Sequence, residues 1–119
     1  MGPICDLMWS DPHEDVEYWK DSERGAGWLF GKKAVEEFGV INDVKLIVRA
    51  HQLAQEGYNW HFDRRLVTVW SAPNYCYRMG NRAAILKIDS SLTQKFIVYG
   101  PSESNNKNVH YNSLSPYFL

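Results

Sequence analysis

Apolar and β-branched residues fall in short runs separated by polar or glycine-bearing breaks, and each run predicts one element. Val44 to Val48 reads as a strand, and the unbroken Leu46-Ile47-Val48 predicts burial on both of its faces. Tyr58 to Phe62 and Leu66 to Ser71 read as paired strands around Asp63-Arg64-Arg65. Ala83 to Ile88 and Phe96 to Tyr99 predict a second hairpin through Asp89-Ser90-Ser91. Helical spacing is rarer. Lys32 to Phe38, opened by Gly31, puts Ala34, Val35 and Phe38 on one face. His51 to Glu56 predicts a short helical turn ended by Gly57. Residues 1–24 predict little regular structure, with Ser10-Asp11-Pro12 breaking any helix. Arg24-Gly25-Ala26-Gly27 predicts a tight turn where the backbone approaches a neighbour closely.

After Gly100-Pro101 the composition turns to Ser, Asn, Glu and Lys, so 101–116 reads as a flexible tail closed by apolar Tyr117-Phe118-Leu119. The pattern predicts strands with a few short helices, mostly antiparallel, of α/β (α+β) class. One clear helix cannot cover two hairpins, so the strands are expected to need more chain than is present. Residues 1–100 are expected to be a partial domain and 101–119 its tail.

The length of 119 residues allows one domain with a modest core. Hydrophobic residues at 45% and charged residues at 23% fit a globular chain. A net charge of −1 argues against an electrostatic nucleic-acid binder. No apolar run approaches the roughly 18 residues that span a bilayer, and the N-terminus lacks a signal-peptide pattern. Cys5 and Cys76 have no metal or redox spacing. Reduced thiols in a cytoplasmic or nuclear protein are therefore expected, with neither membrane nor nucleic acid as partner. The aromatic content of 14% is high and suggests a groove or interface, since Trp and Tyr suit half-buried surfaces.

Candidate chemistry gathers just past two strand ends, in Arg49-Ala50-His51-Gln52 and in Trp70-Ser71-Ala72-Pro73-Asn74-Tyr75-Cys76-Tyr77-Arg78. His51 offers an imidazole to a metal, or is a hydrogen-bonded structural histidine. Arg24, before its glycine turn, offers a phosphate clamp, or pairs with Glu23 or Asp21 at the surface. Tyr75 offers a phenol and Cys76 a thiol, or both simply pack. Trp19 lines an apolar groove or packs in a loop. Spacing alone favours the structural readings for His51, Tyr75 and Cys76.

Several motifs in order change that balance. Cys5-Asp6-Leu7-Met8-Trp9-Ser10-Asp11-Pro12, Arg24-Gly25-Ala26-Gly27, Arg49-Ala50-His51-Gln52, Glu56-Gly57-Tyr58 and Ser71-Ala72-Pro73-Asn74-Tyr75-Cys76 resemble the C-terminal part of the phosphoprotein phosphatase family. These are serine/threonine phosphatases with two metal ions. Tyr117-Phe118-Leu119 resembles the type 2A subgroup. Gly27-Trp28-Leu29-Phe30-Gly31, Val67-Thr68-Val69-Trp70 and Pro116-Tyr117-Phe118-Leu119 look most like its type 6 branch. The resemblance covers almost the whole chain and is weakest over 13–23 and 101–115.

The resemblance implies the C-terminal portion of a metallophosphatase β-sandwich flanked by helices, incomplete here. It implies hydrolysis of phosphoserine and phosphothreonine by a metal-bridging hydroxide, with two divalent ions (Mn, or Fe/Zn). Only the last of six ligand positions, His51, is present. The family motifs Gly-Asp-x-His-Gly, Gly-Asp-x-Val-Asp-Arg-Gly and Gly-Asn-His-Glu are absent. Arg24 and Tyr75 become the expected catalytic contacts to phosphate. Trp19 and Cys76 join them in the substrate site, Cys76 as the thiol that certain electrophilic toxins attack. Leu119 becomes a carboxymethylation site with Ser115 as a neighbouring phosphorylation site. Phosphoprotein substrates and regulatory or scaffold subunits docking on the tail are the implied partners.

Two departures stand out. Glu23 replaces a family proline, placing a negative charge beside the phosphate site, and Met79 replaces a common cysteine. The chain alone is expected to be inactive. A non-catalytic interaction module that keeps the partner-binding tail is the alternative reading.

Overall fold

The computed structural model describes residues 2–103. Their elements are α1 (Pro3–Trp9), β1 (Asp11–Pro12), β2 (Trp19–Asp21), β3 (Trp28–Phe30), α2 (Lys32–Asn42), β4 (Ile47–Arg49), β5 (Glu56–His61), β6 (Leu66–Val69), β7 (Arg82–Ile88) and β8 (Gln94–Tyr99), with a 3₁₀ turn at Tyr75–Tyr77. The mixed α/β class agrees with expectation. The chain forms two compact units, Met1–His51 with Trp60–Thr68, and Gln52–Asn59 with the chain from Val69 onward. The tail from residue 104, with Ser115 and Leu119, lies outside the described residues.

In the first unit, α1 begins on a proline, whose missing N–H costs nothing at a first turn. It forms where little structure was expected. Ser10 then turns extended, and the following Asp11-Pro12 cannot continue a helix. β3 sits between β1, parallel to it, and β2, antiparallel. The helix expected over Lys32–Phe38 runs one turn further, to Asn42, and closes on Asp43 in the left-handed region. Gly39 lies inside the helix, where a Cβ would sit 2.8 Å from the Val44 carbonyl oxygen.

β4 pairs in parallel with β6, Val48 opposite Val67. It is shorter than expected, and Val48 is 47% exposed, so burial on both faces is corrected. Among the described residues β4 is also an edge strand of its sheet. Val35, Phe62 and Leu66 form the core of this unit, with Phe30 and Ile47 against it. Ile4, Leu7, Met8, Val40 and Ile41 stay exposed, a large apolar surface for so small a unit.

In the second unit, β7 lies between the start of β5, parallel, and β8, antiparallel from Ala83–Tyr99 to Ile88–Gln94. The expected second hairpin is therefore present. Asp89 Oδ1 accepts the backbone N–H groups of Ser91 and Thr93 to hold its turn. The helical turn expected over His51–Glu56 is replaced by irregular backbone leading into β5. Three strand pairs among the described residues are parallel, β1–β3, β4–β6 and β5–β7, alongside the antiparallel β2–β3 and β7–β8 pairs. No helix among the described residues is long and apolar enough to cross a membrane.

Candidate functional site

Asp11 organises the first unit's polar cluster. Its side chain is 4% exposed, and both carboxylate oxygens are used. Arg24 Nε lies 2.6 Å from Oδ2 and Arg49 Nη2 lies 2.8 Å from Oδ1. A carboxylate this deep must be paired and hydrogen-bonded. Arg49 also donates to the Ser10 carbonyl at 3.0 Å and to Thr68 Oγ1 at 3.3 Å. Two guanidinium charges on one carboxylate leave an excess positive charge, suited to an oxyanion. Burial pulls the Arg49 pKa down, Asp11 opposes this, and the Arg24 charge adds to the lowering.

Arg24 is presented by a glycine turn. Gly25 N–H bonds the Ser22 carbonyl, and Gly25 and Gly27 both have positive φ. A Cβ on Gly27 would sit 2.6 Å from the Trp9 carbonyl carbon, so the expected close approach is real. The carboxylate that Arg24 meets is Asp11, a partner the sequence reading did not consider. Beside Arg24 is a cavity of about 420 Å³ lined by His13, Asp15, Lys20, Ser22 and Glu23 together with Val16 and Leu29. Glu23 thus stands in the lining with Arg24.

His51 carries φ 78°, a conformation rare outside glycine and tolerated where surrounding structure enforces it. Its ring meets Trp9 edge-on, centroids 5.1 Å apart. His51 Nε2 is buried and has no hydrogen-bond partner among the described residues. Burial lowers the imidazole pKa first, then the Arg24 charge; Asp11 opposes and Arg49 assists. A ring held neutral with an orphaned buried nitrogen fits one metal-ligand bond. No group of three or more His, Cys, Asp or Glu among the described residues could hold a metal ion. His51 therefore fits as a single donor, and a metal centre would draw its other donors from outside these residues.

Trp19 lies on β2, 61% exposed, its ring 6.1 Å from that of Phe30. It lines an apolar groove of about 280 Å³ together with Leu7, Phe30, Phe38 and Ile47. Arg24, His51 and Trp19 belong to this first unit.

Tyr75 and Cys76 belong to the second unit. Asn74, Cys76 and Tyr77 all have positive φ, between 46° and 57°. Asn81, 1% exposed, pins this strained loop. Its Oδ1 accepts from Tyr75 N–H at 2.7 Å, and its Nδ2 donates to the Ala72 and Arg82 carbonyls. The Tyr75 ring packs edge-on against Trp70, centroids 4.7 Å apart. Cys76 is a half-buried free thiol. The loop lines a cavity of about 350 Å³.

Asp11, Arg49 and Asn81 are the residues that sequence reasoning passed over. Asp11 and Arg49 stood inside quoted motifs, and an Asp before a proline with an Arg at a strand end was the available signal. Nothing in the sequence around Asn81 announces its role.

Residues 1–55 match the calcineurin-like phosphoesterase family. Over 109 residues, 91% of this chain, it is 59% identical to serine/threonine-protein phosphatase ppe1 of Schizosaccharomyces pombe. The chain spans 35% of that relative's length. Its fold matches, with a TM-score of 0.75 at 24% identity, a protein serine/threonine phosphatase from Saccharomyces cerevisiae with similarity to human phosphatase PP5, covering all of this chain and 38% of that one. The first 55 residues thus match the calcineurin-like phosphoesterase family, the sequence is similar to a serine/threonine phosphatase over about a third of that relative's length, and the fold is that of part of a solved phosphatase chain.

Proposed function

We propose that this chain is the C-terminal segment of a metal-dependent protein serine/threonine phosphatase of the type 2A subgroup, nearest its type 6 branch. The observation that carries the proposal is the buried Asp11 shared by Arg24 and Arg49, with Arg24 close enough to act electrostatically on the neutral His51. Arg24 binds two phosphoryl oxygens of a phosphoserine or phosphothreonine, and Asp11 holds its guanidinium in place. His51 donates Nε2 to one of two divalent ions, manganese or iron and zinc, whose other donors come from the rest of the protein. Such a centre, when bound, activates water at neutral pH and offsets charge on the phosphoryl group. The Trp19 groove takes up apolar substrate side chains. Tyr75 hydrogen-bonds phosphate from the second loop, with Cys76 beside it. The tail docks on regulatory or scaffold subunits, controlled by methylation of Leu119 and phosphorylation of Ser115, in the cytoplasm or nucleus. The interaction-module alternative has no observation in its favour, since the matched relatives are phosphatases.

The test exchanges this chain for the matching span of the ppe1 phosphatase and measures manganese-dependent phosphate release from a phosphoserine peptide. Activity is expected, with a loss of about a hundredfold on Arg24→Ala, the scale for removing one preorganised charge-stabilising donor. A folded chimera without activity, or an unaffected Arg24→Ala variant, contradicts the proposal.

A further inference from the structure

Six polar side chains follow one another through the first unit. Glu14 Oε1 is 3.7 Å from His61 Nδ1, His61 Nε2 is 3.1 Å from Thr68 Oγ1, and Thr68 Oγ1 is 3.3 Å from Arg49 Nη1. Arg49 then reaches Asp11 at 2.8 Å, and Asp11 reaches Arg24 at 2.6 Å. We propose that His61 is a positioning residue: through Thr68 it fixes the Arg49 guanidinium, and so the Asp11 carboxylate that orients Arg24. What this says of phosphate rests on reading Arg24 as the clamp; what it says of Arg49 does not.

The proton count supports it. Thr68 is 2% exposed, so its hydroxyl cannot turn to water. A guanidinium only donates, so Thr68 Oγ1 accepts from Arg49. The hydroxyl proton must then go to His61 Nε2, the other hydrogen-bond partner of Thr68 among the described residues. His61 is thereby assigned as the neutral tautomer with its proton on Nδ1, facing Glu14 at a distance longer than a hydrogen bond.

The groups facing His61 are Glu14 from the loop after β1, Arg49 from β4 and Thr68 from β6, with the Phe62 ring 5.9 Å away. Burial favours the neutral ring, Glu14 opposes this, and the Arg49 charge reinforces it. Protonating His61 would place a second donor against Thr68 Oγ1. Arg49 would compete for that oxygen, and the Thr68 proton would lose its acceptor. The cost is that of an unsatisfied buried donor.

The test is side-chain nitrogen NMR on the full 119-residue chain from pH 7.5 to 5. At pH 7.5 His61 is expected as the Nδ1–H tautomer. The Arg49 side-chain resonance is expected to move in step with His61 titration. In His61→Gln, whose amide oxygen still accepts from Thr68, that step should vanish, and in Thr68→Val the resonance should be displaced at every pH. Sulfate, whose charge is constant over this range, probes the clamp. Its affinity, read at Arg24, should fall about three- to tenfold more in the wild type than in His61→Gln as His61 protonates, the scale of one hydrogen bond, His51 titrating alike in both. An Nε2–H tautomer at pH 7.5, or an Arg49 resonance indifferent to His61, overturns the inference. Sulfate that leaves Arg24 unmoved at every pH overturns the clamp reading, while the Arg49 titration still decides the role of His61.

Discussion

Trp9 stands edge-on to His51, with ring centroids 5.1 Å apart and planes crossed at 79°. The last residue of α1 thereby braces an imidazole whose backbone is already forced to φ 78°. Such an edge contact is worth about 1 kcal/mol beyond area burial. Trp9→Leu is expected to shift the His51 ring protons out of the indole's ring current. It should also lower stability by about 1 kcal/mol, read by urea denaturation. An unchanged His51 spectrum would show that Trp9 does not brace it.

Asp11 is expected to be the most sensitive polar position. Asp11→Asn leaves two guanidinium groups facing each other without their carboxylate. Breaking a buried pair on one side costs about 3 kcal/mol or more. Urea denaturation of the variant should show that loss, and a loss under about 0.5 kcal/mol, the range of ordinary surface changes, would contradict the pairing.

Gly27 is expected to tolerate no side chain. Its φ is 67°, and an added Cβ would meet the Trp9 carbonyl carbon at 2.6 Å, where backbone must move. Gly27→Ala should cost about 2–4 kcal/mol from the left-handed backbone and the overlap together. Gly25→Ala meets nothing within 4 Å and should cost less, from φ alone. Equal losses in the two variants would contradict the close approach.

His61 gives a pH dependence of defined sign. Its folded-state pKa is lowered by burial, against the Glu14 charge, with Arg49 adding to the lowering. The unfolded chain therefore binds more protons between the lowered value and about 6.5, and stability rises with pH there. The contribution is complete above about pH 6.5 and is lost as pH falls through the folded-state value. Denaturation midpoints at pH 7.5 and 5.5 should differ less in His61→Gln than in the wild type. Some slope will remain, because the shift at His51 has the same sign.

Much of the fold was legible where pattern and punctuation agreed. The β7–β8 hairpin was read from two apolar runs and an Asp-Ser-Ser turn, and the structure places its ladder there. α2 was read from Ala34, Val35 and Phe38 but stopped short of Asn42, since the residues beyond Phe38 are not buried against the core, and Gly39 is set by its close approach to Val44. Face coverage, edge position and parallel pairing were not legible: Val48 is 47% exposed and β4 lies at the end of its sheet, neither of which a local pattern records. The same holds at the site. His51 and Arg24 were visible through their motifs, whereas Asp11 matters only because folding brings it to Arg24 and Arg49, 13 and 38 positions away.

The proposed role of His51 is that of this chain's donor to a metal centre completed from elsewhere. Two assays bound it. The pure 119-residue chain with manganese should release no phosphate from a phosphopeptide. In the chimera with the ppe1 phosphatase, anomalous diffraction at the manganese edge should place His51 Nε2 within about 2.2 Å of a bound ion, the ordinary range for an imidazole–metal bond. His51→Ala should abolish that contact together with activity. An ion bound without contact to His51, with activity intact in His51→Ala, would contradict the account.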